Sequence, residues 1–284
     1  NYTLTQDIDC YDLARIPIGD HDEPFTGKFN GGGHTIRTYI GTGVNSYAGL
    51  FGSISGAEVF HLNLEGLVIA TGDNVGGLAG EATGNSRVHH VTSSMEIQAT
   101  GDNAGGLIGA LITNVTGSFR YNSASGDVSG EDNVGGLYGY ATLSYAEKSF
   151  ATGNVTAEGE NAGGLIGYAG GYGVSEVYAA GTVHSGTQRA GGLIGLQEGG
   201  DISDSYARGD ATSGGLGYYV GGLVGAVNGT YIRRSYATGN ATGTLAVGGL
   251  VGYSVNETYI YDSFAIGIVG GVDDTINSLV GQDF

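Results

Sequence analysis

A Gly-Gly-Leu-x-Gly core recurs along the chain with its leucine at positions 78, 107, 137, 165, 193, 223 and 250, and degenerate copies surround Leu50 and Leu279. The spacings from Leu50 to Leu279 are 28, 29, 30, 28, 28, 30, 27 and 29 residues. Nine copies at a nearly fixed period describe an array in which one structural unit stacks on the next. Each unit has a second half: Ser149-Phe150-Ala151-Thr152-Gly153 is echoed by Ser205-Tyr206-Ala207-Arg208-Gly209, Ser235-Tyr236-Ala237-Thr238-Gly239 and Ser263-Phe264-Ala265. The segments between glycines are short and rich in Val, Ile, Tyr, Thr and Ala, which is strand composition with turn punctuation. No sustained 3.6-residue period accompanies them.

A propeller blade needs four strands and about 40–50 residues, so this period is too short for one. A leucine-rich repeat fits the length but requires a Leu/Asn pattern that is missing. The unit therefore predicts two or three strands per turn of an all-β, parallel β-solenoid of about nine coils of 28–29 residues. At the ~4.8 Å strand spacing, nine coils make a rod ~43 Å long. Glycine is 58 of 284 residues, but it has no three-residue period and proline is only 2, which excludes collagen. Residues 1–41 break the repeat and are expected to cap the front, leaving 42–284 as the solenoid.

Stacking turns the repeat into columns. Ser123, Phe150, Tyr178, Tyr206, Tyr236 and Phe264 form one, and its rings are expected to fill the core. Lys148, Glu176, Asp204, Arg234 and Asp262 form another, in which mixed signs predict pairing between coils. In the glycine-rich motif both the leucine and the residue after it are apolar, although neighbours on a strand face opposite ways. Either a second layer of backbone folds over that strand, as its glycines would permit, or one face associates with something else.

The unit Gly-Gly-Leu-Ile-Gly-Tyr followed by Ser-Phe/Tyr-Ala-Thr-Gly-Asn resembles the GLUG motif of large secreted and surface proteins of bacteria and archaea. The stretch from Leu4 to Ile36, with Pro24-Phe25-Thr26-Gly27-Lys28-Phe29-Asn30-Gly31-Gly32-Gly33-His34, is similar to the segment that often precedes such repeats. The resemblance implies an adhesin, a surface-layer component or a stalk at the cell surface or beyond it, and it carries no catalytic residue.

Asp73, Asp102, Asp132 and Glu160 recur five residues before the leucine, each followed by Asn. Calcium is one expectation for such a column of oxygen ligands; the other is a solvated turn whose asparagines adopt the left-handed conformation and stack their amides. Asn-x-Thr sequons at Asn1, Asn114, Asn154, Asn228, Asn240 and Asn256 are candidate glycosylation sites, since turns are surface. Equally, Asn and Thr are ordinary turn residues. The six histidines are scattered, and His89 and His90, as strand neighbours, are expected to face opposite ways. No nucleophile elbow, P-loop or metal-hydrolase pattern is present, so no enzymatic activity is expected, with a carbohydrate-active β-helix lyase or hydrolase, or a glycan-binding module, as the alternative.

The formal charge of −18 disfavours a nucleic-acid partner, and no apolar run is long enough for a membrane span. Cys10 is the single cysteine. The final coil has no evident cap, so head-to-tail self-association into a filament or surface layer is expected, with glycans or matrix as other partners.

Overall fold

The computed structural model describes residues 1–12, 16–41, 46–113, 118–142, 145–171, 173–215, 218–271 and 276–283. Among them there is no helix; every sheet pairing is parallel, and strands of successive turns stack in register into a β-solenoid. Three faces enclose the core. The Leu165 coil shows the plan: Ile166–Gly170 lies on the first face, Gly173–Ser175, Tyr178–Ala179 and Val183–Ser185 on the second, and Gln188–Gly191 on the third. The chain then turns through Gly192 and Leu193 to begin the next coil at Ile194–Glu198.

The inter-coil register follows the motif. Phe51, Ala79, Ile108, Tyr138, Ile166, Ile194, Val224, Val251 and Val280 pair in one continuous column. Backbone hydrogen bonds run from coil to coil, as from Leu107 N to Leu137 O at 2.9 Å and from Leu165 N to Leu193 O at 2.8 Å. Although residues 1–41 break the sequence repeat, they continue the second face: Tyr2–Thr3 and Ile8–Cys10 pair with Lys28–Asn30 and Thr35–Ile40, which pair in turn with Glu58–Ala70.

The leucines from Leu78 to Leu250 and the residues after them, as far as Val251, are all buried. They do not sit on opposite sides of one strand, because the corner at Gly-Leu separates two strands in different sheets. Both side chains therefore reach the core. The glycines before the leucine let the third face fold back over the first as a second layer. A Cβ on Gly105 would stand 2.7 Å from Gly139 N, and one on Gly163 would stand 2.7 Å from Gly195 N. Contacts that close admit no side chain.

The same packing overturns the expectation for the aromatic column. A Cβ built on Gly136, Gly164 or Gly192 would lie 2.8, 2.8 or 2.9 Å from the Cβ of Ala151, Ala179 or Ala207. At this level the core is one glycine thick against one alanine, and it cannot hold a ring. The alanines face inward, and Phe150, Tyr178, Tyr206, Tyr236 and Phe264 face outward. Their rings stack face to face at 4.8, 5.0, 5.0 and 5.2 Å with interplanar angles of 3°, 2°, 5° and 4°.

The buried serine of each Ser-aromatic-Ala motif closes a polar ladder. Ser205 Oγ donates to Ser203 O at 2.6 Å and accepts Val177 N at 3.3 Å, while Ser235 Oγ donates to Arg233 O and accepts Ser205 N at 3.2 Å. Two substitutions separate these effects in a denaturation experiment. Gly163→Ala forces the third-face and first-face backbones apart and is expected to cost about 3 kcal/mol, the upper end of what overpacking costs. Ser205→Ala leaves one buried N–H without its acceptor and is expected to cost about 1–3 kcal/mol. Equal losses at the two sites would contradict the second-layer account.

Candidate binding face and polar columns

The second face carries most of the solenoid's outward chemistry. Beside the stacked rings runs a corner column whose residues all have positive φ: His61, His90, Tyr121, Lys148, Glu176, Asp204, Arg234 and Asp262, between 47° and 57°. This conformation directs each corner side chain outward, next to the rings. Arg234 grips Asp204 through two hydrogen bonds of 2.6 Å, and Lys148 Nζ lies 3.6 Å from Glu176 Oε1. Arg234 holds the exposed Asp204 carboxyl below its ordinary value, chiefly by hydrogen bonding. The mixed charges pair between coils, as their mixed signs predict. Arg208 lies over the Tyr206 ring at 4.8 Å.

Asp73, Asp102, Asp132 and Glu160 do share one column, and each of the first three carboxylates is engaged by backbone. Asp102 N donates to Asp73 Oδ1 at 2.9 Å, Asp132 N to Asp102 Oδ1 at 3.2 Å and Glu160 N to Asp132 Oδ1 at 2.6 Å. The adjoining Asn74, Asn103, Asn133 and Asn161 have φ of 61°, 62°, 56° and 61°. Their amides form a ladder in which each Nδ2 donates to the preceding Oδ1, at 2.9, 3.0 and 2.8 Å. Arg189 closes both columns, donating to Glu160 Oε2 and to Asn161 Oδ1. Among the described residues no three His, Cys, Asp or Glu side chains gather as a metal site. These acids are hydrogen-bond acceptors spread along an edge, which does not fit the convergent oxygen cage that Ca²⁺ takes.

The sequon asparagines fall in similar roles. Asn154 Oδ1 accepts Thr182 N at 3.1 Å and Thr182 Oγ1 at 2.8 Å, and Asn240 Oδ1 accepts Ile268 N at 2.9 Å. Asn256 donates to Asn228 Oδ1 at 2.6 Å. Asn1, Asn154 and Asn256 are exposed, Asn228 and Asn240 half-exposed, and Asn114 lies outside the described residues.

Two clusters escape the sequence reading. Glu81 is buried on the first face, where Ser53 Oγ donates to its Oε2 at 3.2 Å and His21 Nδ1 meets the same oxygen at 3.0 Å. These are the residue types of a nucleophile relay, but the wiring differs. A relay joins hydroxyl to imidazole, whereas here both bond one carboxylate and no hydrogen bond links Ser53 to His21. The sequence signal was a lone acid in the column Ser53, Glu81, Ala110; its partner His21 comes from outside the repeat. The other cluster holds Phe60, His61, His89, His90 and Tyr121. His89 and His90 do not face opposite ways, because the positive φ of His90 (56°) breaks the alternation and brings their Nδ1 atoms to 3.1 Å.

The GLUG motif family model matches at residues 71–98 and 186–212. Two segments of the chain thus match the GLUG motif. Each match spans the turn of acid or glutamine, the Gly-Gly-Leu corner, the first face and all but the last residue of the second. No curated protein matches the chain. A crystal structure from Bacteroides ovatus, described as a "putative immunoglobulin A1 protease", aligns over 100% of this chain and 77% of its own, with a TM-score of 0.51 and 17% identity. At that identity the likeness shows a shared fold. No helix among the described residues is long and apolar enough to cross a membrane.

The acid column yields a pH prediction. Burial, then the charges of Asp132 and Asp73, raise the Asp102 carboxyl above its ordinary 3.8. A folded-state value above the unfolded one gives stability that is present below the unfolded value and lost as pH rises through the folded one. Asp102→Asn keeps an oxygen acceptor for Asp132 N and removes the charge. It should raise the melting temperature at pH 7 and leave it nearly unchanged at pH 3, where the wild-type acid is already neutral. A lower melting temperature at pH 7 would show that the column needs its charge.

Proposed function

We propose that this GLUG-repeat solenoid is a non-enzymatic structural and adhesive module displayed outside the cell. The observation that carries the proposal is the outward aromatic column on a rigid face, bordered by paired charges and exposed Asn and Thr. The repeated residues of the motif itself (the corner glycines, the leucine, the serine and the left-handed asparagine) serve coil stacking and leave no nucleophile–base pair. A flat apolar ladder with polar borders suits a surface glycan or matrix protein, through edge contacts and hydrogen bonds rather than deep enclosure.

Self-association belongs to the same reading. On the same face Tyr261, Phe264, Ile266 and Ile268 are 50%, 50%, 71% and 75% exposed. They form an apolar patch continuous with the aromatic column, and a second copy of the chain is the occupant proposed for it.

Binding to glycan and matrix-protein arrays tests the first part. The triple substitution of Tyr178, Tyr206 and Tyr236 by Ser should abolish capture while circular dichroism stays unchanged, since all three rings point outward. Turnover of a polysaccharide or of immunoglobulin A1, abolished by one acidic substitution, would replace this reading with an enzyme. Light scattering tests the second part: association at high concentration should disappear in the Ile266→Ser/Ile268→Ser double variant, and a wild-type chain that stays monomeric rules it out.

A further inference from the structure

We propose that His89 and His90 form a chelating site for a borderline divalent transition-metal ion such as Zn²⁺ or Ni²⁺, with His61 as third ligand. Zn–N bonds are about 2.0–2.1 Å, so two nitrogens on one ion at tetrahedral or octahedral angles lie about 3.0–3.4 Å apart. The Nδ1 atoms of His89 and His90 are 3.1 Å apart, a separation within that range, and rotation of the rings about their side-chain bonds turns both nitrogens toward one ion. Sequence neighbours on a regular strand cannot converge in this way. The left-handed corner at His90 makes it possible.

The surroundings hold the pair in place. The His89 ring lies on Phe60 at 5.2 Å and the His90 ring on Tyr121 at 4.8 Å. His61, one coil earlier in the corner column, has its ring 5.1 Å from that of His90 and 6.2 Å from that of His89. The three rings are not yet gathered on one point, and rotation of the exposed His61 side chain supplies the third nitrogen, with water completing the shell. Behind His89, Glu58 Oε1 stands 3.6 Å from Nε2. A carboxylate on the far nitrogen is the usual support of a metal-bound imidazole, fixing its tautomer and raising its basicity.

Lys28 at 2.8 Å and Arg87 at 3.0 Å hold Glu58 from its other side, and Arg120 stands in strand register with His89 in the next coil. The charges named sum to +2, so an ion must be held by its bonds to neutral nitrogens and not by charge, which disfavours a hard cation such as Ca²⁺. Without metal, one Nδ1–H bridges the two rings; on binding, that proton moves to the Nε2 of the same ring, so no net proton is released when both rings start neutral.

Calorimetric titration of the tag-free full chain with Zn²⁺ at pH 7.5 is the test, with circular dichroism to confirm that each variant folds. One equivalent should bind the wild type. His89→Gln and His90→Asn (Asn tolerates the left-handed corner) should each weaken binding by at least ~10-fold, as losing a ligand does at least as much as losing its support. His61→Asn should weaken it as well, and unchanged affinity there removes His61 as the third ligand. Wild-type affinity in both His89→Gln and His90→Asn overturns the proposal. So does binding that survives in those variants but is lost in Asp102→Asn, which would place the ion on the acid column.

Discussion

Parallel in-register stacking puts nearly every side chain directly above and below its counterpart in the next coil, at the spacing of one strand. This constraint governs the molecule more than any single contact does. Apolar columns benefit from it, since Leu on Leu and Val on Val exclude water along the whole core. Aromatic rings can stack without limit. A carboxylate on a carboxylate repels, and the chain meets that cost in two ways. Along the acid column each of three carboxylates accepts the backbone N–H of the next coil, and Arg189 closes the series. Along the corner column opposite charges pair between neighbouring coils, Lys148 with Glu176 and Arg234 with Asp204.

The second constraint is thickness. The third face folds back over the first so closely that only glycine fits, and across the core the corner glycine touches the alanine of the aromatic motif. Gly-Gly-Leu and Ser-aromatic-Ala are therefore two halves of one fit. The aromatic residue is displaced to the surface because its neighbour must be small, and the surface gains a ladder that a thicker core would have absorbed.

The period, the parallel stacking, the register of the column after the leucine and the left-handed asparagines were all legible in the sequence, because each rests on residue type and spacing. The direction of the aromatic column was not. Reading faces from alternation requires an unbroken strand, and one residue with positive φ reverses the parity of everything after it. Asparagine announces that conformation at 74, 103, 133 and 161; His61, His90, Tyr121, Lys148, Glu176, Asp204, Arg234 and Asp262 do not. The convergence of His89 with His90 was hidden for the same reason. The Glu81 cluster was hidden for another: its histidine comes from residues 1–41, where no repeat fixes the register.

The corner column has a wider consequence. Eight positions share one backbone conformation while carrying imidazole, phenol, ammonium, guanidinium and carboxylate groups, so the turn is imposed by the coils on either side and not by its own side chain. A left-handed residue that is neither glycine nor β-branched costs on the order of 1 kcal/mol, somewhat less for Asp and His. The strain is thus nearly the same for every occupant, and the occupant is free to vary. The rod carries, along one edge, an interchangeable row of functional groups one strand-width apart, which can be rewritten residue by residue without altering the scaffold beneath it.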